Sequence, residues 1–423
     1  MTNFIQKIKN VFTDPSLRKQ VLFVLGALAV FRFMSVVPIP GVNQAALDQF
    51  LSNNQFFGLL SAFSGGGLTT LSIMMLGVGP YITASIIMQL LTIMSPRLKS
   101  LNTEEGAIGR KKFSQYSRLL SIPLAFMQAF AFIVILQRQG AVAPLDSFAL
   151  LTNVIVIVAG STFLMWLGEI MSEFGIGNGL SNIIFAGIVA SLPQVISQAI
   201  FAFQVEQIPM YLGMLVLGIF TILAVVFITE AERPVPVTYA KQVRGTKTYG
   251  GSSTYIPLRL NQAGVIPIIF ALSLLVLPQM VFNFLTYLQN PTVNSIGAQV
   301  TSLLQNQWVY AGFYFLLVFF FTYFYTATTF DPKNISDNLQ KGGAFIPGVR
   351  PGEHTAEYIG KVVSRITLVG ALFLGIIAVL PPIVQAITGI QFLTIGGTAL
   401  LIVVSVVLDI VKKTDAQLSM REY

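Results

Sequence analysis

Residues 63–91 read FSGGGLTTLSIMMLGVGPYITASIIMQLL. Three glycines come first. An apolar run then begins, is interrupted by Gly77, Gly79 and Pro80, and resumes with Ile82, Ile86 and Ile87. A plain membrane span keeps such residues out of its interior, because glycine costs about 1 kcal/mol there and proline about 3 kcal/mol. The stretch reads as an apolar segment built to break.

The chain around it is a membrane protein by composition. Of its 423 residues, 54% are hydrophobic and 10% charged, where a soluble domain carries about a quarter charged. Apolar blocks near the bilayer-spanning length of about 20 residues recur. Ten are expected, at about 20–37, 73–94, 119–137, 151–171, 181–200, 211–229, 263–285, 309–327, 366–386 and 393–411. So many blocks, with so little polar surface to cover them, argue against a soluble core. There is no cysteine, which excludes disulfides and thiolate metal sites. The first apolar run follows a basic lead (1–19), lacks a small-residue cleavage site, and reads as a retained span. Within the lead, Asn3–Phe12 sets Phe4, Ile5, Ile8, Val11 and Phe12 against Lys7 and Lys9. That pattern fits an amphipathic helix on the membrane surface and a frayed tail equally well.

Loop charge sets orientation. All but Arg32 and Arg138 of the 25 basic residues fall on one side of a ten-span topology. Both termini are therefore expected in the cytoplasm. Two cytoplasmic loops, 230–262 and 328–365, are long and rich in Gly, Pro and basic groups. Long ordered loops are usually functional, and these suit a large acidic or RNA-containing partner.

Other chemistries lack their residues. There is no GxxxxGK[ST] nucleotide loop, and the GIGNG at 175–179 lacks a strand–turn–helix context. His354 has no ligand companions in its loop. No carboxylate pair is expected at mid-membrane depth: Glu169, Glu173 and Asp409 fall near span ends. A secondary transporter of small solutes, the alternative function, places ionisable groups there. A membrane-embedded enzyme would cluster His, Asp or Glu at the interface. No enzyme activity and no cofactor are expected, so work must be driven from outside the chain.

Ile82 and Ile86 lie four apart and share a helix face, as do Ile184 and Ile188. Ile269 and Ile402 occupy two further spans. Spacing alone leaves all six as lipid contacts or bundle packing.

Longer motifs go further. SGG…PYITASIIMQLL, GIGNGLSNIIFAGI, PVTYAKQVRG with YGGSSTYIPLRLNQAGVIPIIFA, and FIPGVRPG with TAEYIGKVVSRITLVGA resemble the SecY family. This is the family of channel subunits of the bacterial protein translocon, and the resemblance runs from about residue 15 to 413. It implies an all-α polytopic membrane protein with ten transmembrane helices. They would form two pseudo-symmetric inverted halves, 20–200 and 201–411, around an hourglass pore, with 412–423 as a cytoplasmic tail. It implies a pore ring of Ile82, Ile86, Ile184, Ile188, Ile269 and Ile402, placed by their motifs. It implies a short helical plug within about 61–73, containing Phe63, Ser64, Gly65, Gly66, Gly67, Leu68 and Leu71. Gly77, Gly79 and Pro80 would be the hinge behind it. The plug would lie in a funnel, so that deleting 63–71 leaves the fold intact.

Spans two and seven would flank a lateral gate through which apolar segments leave for lipid. The family's function is to conduct unfolded preproteins and to release membrane proteins sideways. Implied partners are SecE, SecG, the SecA motor ATPase, the ribosome, preproteins with their signal sequences, and lipid. The implied location is the bacterial cytoplasmic membrane. Arg350, with Arg233, Lys241, Arg244 and Lys247, would dock the motor or ribosome. The chain departs from the family where Arg233 is followed by Pro234, where Gly245 is followed by Thr246, and where SEF precedes span five.

Overall fold

In a computed structural model of the protein, the described residues are 13–419 without 44–45, 48–63, 65, 104, 139, 202–207, 240–241, 245–246, 250, 252, 286–294, 296, 298, 300–305 and 389–393. The N-terminal segment 3–12 lies outside them, as do Phe63, Gly65 and Lys241.

Among the described residues, ten helices of 16 residues or more stand where the ten spans are expected. In chain order the helices are α1 (Pro15–Met34), α2 (Gly79–Met94), α3 (Pro96–Thr103), α4 (Gly106–Arg138), α5 (Ser147–Phe174), α6 (Gly179–Phe201), α7 (Ile208–Glu230), α8 (Ile266–Leu285), α9 (Gln307–Thr329), α10 (Pro332–Lys341), α11 (Glu353–Thr388) and α12 (Thr394–Ser419). Only α3 and α10 are short and polar. Five helical stretches are long and apolar enough to cross a membrane: Ile108–Arg138, Ser147–Phe174, Ile208–Glu230, Gln307–Lys341 and Glu353–Ala386. Gly79–Met94, Gly179–Pro193 and Ile266–Leu275 are apolar but shorter.

Local chemistry sets several boundaries. Asp14 caps α1 by accepting from the Ser16 N–H at 2.8 Å, with Pro15 in the first turn. Asn306 caps α9 and Asp331 caps α10 in the same way. Such caps satisfy amide donors that a helix leaves without partners. Elsewhere the helices outrun the hydropathy. α4 starts at Gly106 and α11 at Glu353, each well before its expected span, and α12 runs through the expected tail to Ser419. Hydropathy ends at the membrane surface, but a helix built from good formers has no reason to stop there. Arg110, Lys111 and Lys112 therefore ride on α4 rather than in a loop.

The two long loops hold the feature that the all-helical expectation did not include. Residues 230–262 contribute β1 (Glu232–Tyr239), β2 (Gln242–Arg244), β3 (Lys247–Tyr249) and β4 (Ser253–Arg259), and 328–365 contributes β5 (Ala344–Phe345). Strand β1 pairs antiparallel with β4, Val235 opposite Ile256, and on its other edge with β5, Tyr239 opposite Ala344. Arg259 and Glu232, paired in register, also form an ion pair at 3.4 Å. Val235, Val237, Leu258, Ala344 and Ile346 are buried against Ile359, Val362, Val363 and Ile366 of α11. The two long loops are thus one body with its own small core. The alternation in PVPVTY, apolar in and exposed out, is the strand signature that makes this possible.

Candidate functional site

The six isoleucines fall in or against one large apolar cluster. Ile86, Ile184, Ile188, Ile269 and Ile402 belong to a single buried cluster, and the partly buried Ile82 packs against it. They arrive from four helices: α2, α6, α8 and α12. Helix α8 packs against α2 and α4, and α12 against α6. Ile402 and Ile188 are 0% and 1% exposed. Branched hydrocarbon offers neither an ion nor a solute a ligand. What such a cluster does is exclude water.

Two asparagines frame it. Buried Asn182 donates through Nδ2 to the Ile176 carbonyl oxygen at 3.0 Å, and Asn261 to that of Gly264 at 3.2 Å. Each ties the loop before an isoleucine-bearing helix to the residues that enter it. Gly179 opens α6 against α5 so tightly that a Cβ there would collide with the Gly168 carbonyl oxygen. The Ser172 hydroxyl accepts from the Gly179 N–H at 2.8 Å.

The expected plug differs from the sequence reading. Its described residues, Ser64 and Gly66–Ile73, form a run of turns and a bridge, not a helix. Gly66 and the non-glycine Leu71 have φ of +78° and +43°, and left-handed residues interrupt a right-handed helix. Backbone pairing holds the run instead. Ile39 donates to the Leu71 carbonyl at 2.9 Å, and Ile73 to that of Val37 at 3.0 Å. The Thr70 hydroxyl donates to the Ser35 carbonyl at 3.0 Å. Leu68 and Leu71 are 0% exposed and pack with Ile39, Phe132, Ile133 and Leu136 in a second cluster. Deleting 63–71 would therefore remove two core leucines, each a cost of about 2–5 kcal/mol as judged by truncation to alanine. The expectation that this deletion spares the fold is corrected on that ground.

Met74 and Val78 belong to the isoleucine cluster, Met75 and Leu76 to the second, and the partly buried Ile73 touches both. Gly77 is left-handed at φ +57°. Gly79 and Pro80 are the first two residues of α2, where proline's missing N–H costs nothing. The break in the opening stretch is thus the join between two apolar bodies.

Among the residues expected to dock a partner, Arg350 is exposed in a tight turn. Gly348 and Gly352 have φ of +82° and +93°. The Arg350 carbonyl accepts from the Thr355 hydroxyl at 2.8 Å, and the Gly352 carbonyl from that of buried Ser336 at 2.6 Å. Arg233 is exposed on β1, while the backbones of Arg244 and Lys247 pair in register across β2–β3. Sequence reasoning missed the link between Arg118 on α4 and Glu169 on α5, an ion pair at 2.6 Å. It also missed Gly160 and Ser161 of α5. Their only signal is a small pair inside IVIVAGSTF.

The SecY family pattern matches residues 72–411. The Protein translocase subunit SecY of Streptomyces scabiei is 42% identical, over 97% of this chain and 97% of its own length. The Protein translocase subunit SecY of Mycobacterium bovis is 39% identical, over 100% and 99%. A solved protein-conducting channel superposes with a TM-score of 0.65 at 20% identity, covering 95% of this chain and 93% of its own. Sec61 in the canine ribosome-channel complex does so with 0.62 at 19% identity, covering 95% and 93%. The family pattern covers well over half of the chain and the relatives match it nearly end to end: this chain belongs to the SecY family.

Proposed function

We propose that the chain is the protein-conducting subunit of a bacterial translocase in the cytoplasmic membrane, with both termini in the cytoplasm. The observation that carries this is where the six isoleucines of four helices fall: five are buried members of one large apolar cluster and Ile82 packs against it, with Met74 and Val78 of the preceding segment in the same cluster. A constriction of this kind stays dewetted at rest and widens through rotamer changes. An unfolded chain then passes without being bound, and ions do not. The segment 61–73 acts as the resting seal and Gly77–Pro80 as its hinge. Broken backbone at this depth is tolerated where it is buried in protein or lines a cavity. Contacts of α8 with α2 and α4 form the seam that opens sideways for apolar segments.

Energy comes from a partner on the cytoplasmic body. SecA and the ribosome are the partners the family implies, with SecE and SecG as companion subunits. The ribosome is supported by the likeness to Sec61 in its ribosome complex. Arg350 presents one guanidinium at a fixed place, which suits bidentate contact with carboxylate or phosphate.

Replacing Ile86 and Ile188 together with glycine tests the ring. Reconstituted vesicles holding the resting variant should conduct small ions, and conductance at the protein-free background would reduce these residues to packing. Arg350→Glu tests docking. Reversing a charge that is buried on contact costs on the order of 2–5 kcal/mol. Motor-driven translocation should fall sharply while protein level and resting seal hold. Wild-type translocation by this variant removes Arg350 from the docking surface.

A further inference from the structure

The link from the seal to α2 is seated on a two-residue step of α5. At one end, a Cβ on Gly160 would collide with the Ile73 carbonyl oxygen and stand 2.9 Å from the carbonyl carbon. The helix and the link touch backbone to backbone there. At the other end, the buried Ser161 hydroxyl donates to the Gly77 carbonyl oxygen at 2.9 Å. Thr152, Thr162 and Ser172 on the same helix donate to the carbonyl four residues back. Ser161 reaches across to another segment instead.

These two contacts bracket the residues that join the two apolar clusters. Gly77 is left-handed, and its N–H donates to the Met74 carbonyl at 2.9 Å. The turn at Gly77 is thus fixed from within by Met74 and from outside by Ser161. Both partners of the Ser161 bond are buried. Losing a buried hydroxyl donor takes a hydrogen bond from the Gly77 carbonyl. The other side of the segment is held by the pairing of Leu71–Ile73 with Val37–Ile39. Backbone pairing does not depend on side chains, whereas the α5 step rests on two residues that substitution can change.

We propose that Gly160 and Ser161 are positioning residues that latch the link in the closed channel, so that opening the Ser161–Gly77 bond sets the threshold a substrate must meet to displace the seal. This rests on the reading of 61–73 as the seal. Ser161→Ala removes the donor without adding bulk. Gly160→Ala lifts the link from the other end.

The test uses the full chain reconstituted with its companion subunits. Two preproteins are compared, one with an intact signal sequence and one whose signal is weakened by a charge in its apolar stretch. The quantity read is the ratio of weakened to intact translocation, with resting ion leak on the same vesicles. In Ser161→Ala the ratio should rise by roughly tenfold, the scale of one lost buried hydrogen bond, and leak should rise with it. Gly160→Ala should move both the same way. A damaged fold lowers both substrates and cannot produce the gain. A wild-type ratio and leak in Ser161→Ala overturn the latch.

A third variant separates the latch from the seal. The chain has no cysteine, so Ser35→Cys with Thr70→Cys gives a single pair for a short thiol-bridging reagent. Bridging should stop translocation if 61–73 must move. A block by the bridge with a silent Ser161→Ala overturns the latch and keeps the seal. Unimpeded translocation after bridging overturns the seal, and the latch with it.

Discussion

Helices α2 and α7 are both apolar, yet they live in different surroundings. α2 spans 16 residues and buries Pro80, Thr83, Ala84, Ile86, Met88 and Thr92. α7 spans 23 residues and, among the described ones, buries Thr221 and Val225. Its Leu212, Phe220, Leu223 and Phe227 are exposed at 59%, 69%, 64% and 73%. Lipid tails are as apolar as leucine, so hydropathy cannot tell a lipid-facing side chain from a packed one. The distinction lies in the other residues. α2 is short, and Gly, Pro, Ala, Ser, Thr and Gln make up seven of its 16 residues; α7 is long, and its Pro209, Gly213, Gly218, Thr221, Ala224 and Thr229 are outnumbered by large aliphatic and aromatic groups. Small and hydroxyl residues let helices approach closely, and length suits a helix that must cross the whole bilayer.

Three substitutions press on this comparison. Ile188→Ala, in the isoleucine cluster, should cost about 2–5 kcal/mol, read as a clear drop in unfolding temperature in detergent. A loss below about 1 kcal/mol would mean the cluster is loosely filled, less than a buried isoleucine truncation normally costs. Gly179→Ala should come next, at about 1–3 kcal/mol from overpacking, because the new methyl group meets the Gly168 carbonyl. An unchanged melting temperature would show that α6 can slide on α5, and the close approach would not be a constraint. Phe220→Ala on α7 should be nearly silent in stability, within about 0.5 kcal/mol. A cost matching that of Ile188→Ala would mean α7 is covered by protein in the membrane, and the contrast with α2 would collapse.

The same contrast explains which parts of the site could be read early. Ile82, Ile86, Ile184 and Ile188 stood out by spacing four apart, but spacing gave them no role. Their long flanking motifs did, and the fold places them in or against one large apolar cluster. Gly77, Gly79 and Pro80 were legible because helix breakers inside apolar sequence have few other uses. Gly160 and Ser161 were not. A small pair within a helix is ordinary, and its meaning depends on Ile73 and Gly77 lying against it, more than 80 residues away in sequence. The sheet formed by β1, β4 and β5 was half legible. The alternation over 232–239 was present, but that its second edge would pair with Ala344–Phe345 in another loop was not.

The sequence by itself determined that this is a membrane protein with ten apolar helices, which side its charges favour, and where the second span breaks. These follow from hydropathy, charge and the backbone limits of glycine and proline, all of which act locally. Only the tertiary structure decided that six isoleucines from four helices fall in or against one apolar cluster, that residues 66–78 are turns and a bridge packed on the core, and that two distant loops make one body. Those outcomes depend on which side chains meet across the fold. Within a bilayer, where apolar residues gain equally from lipid and from protein, close packing and buried hydrogen bonds choose between them.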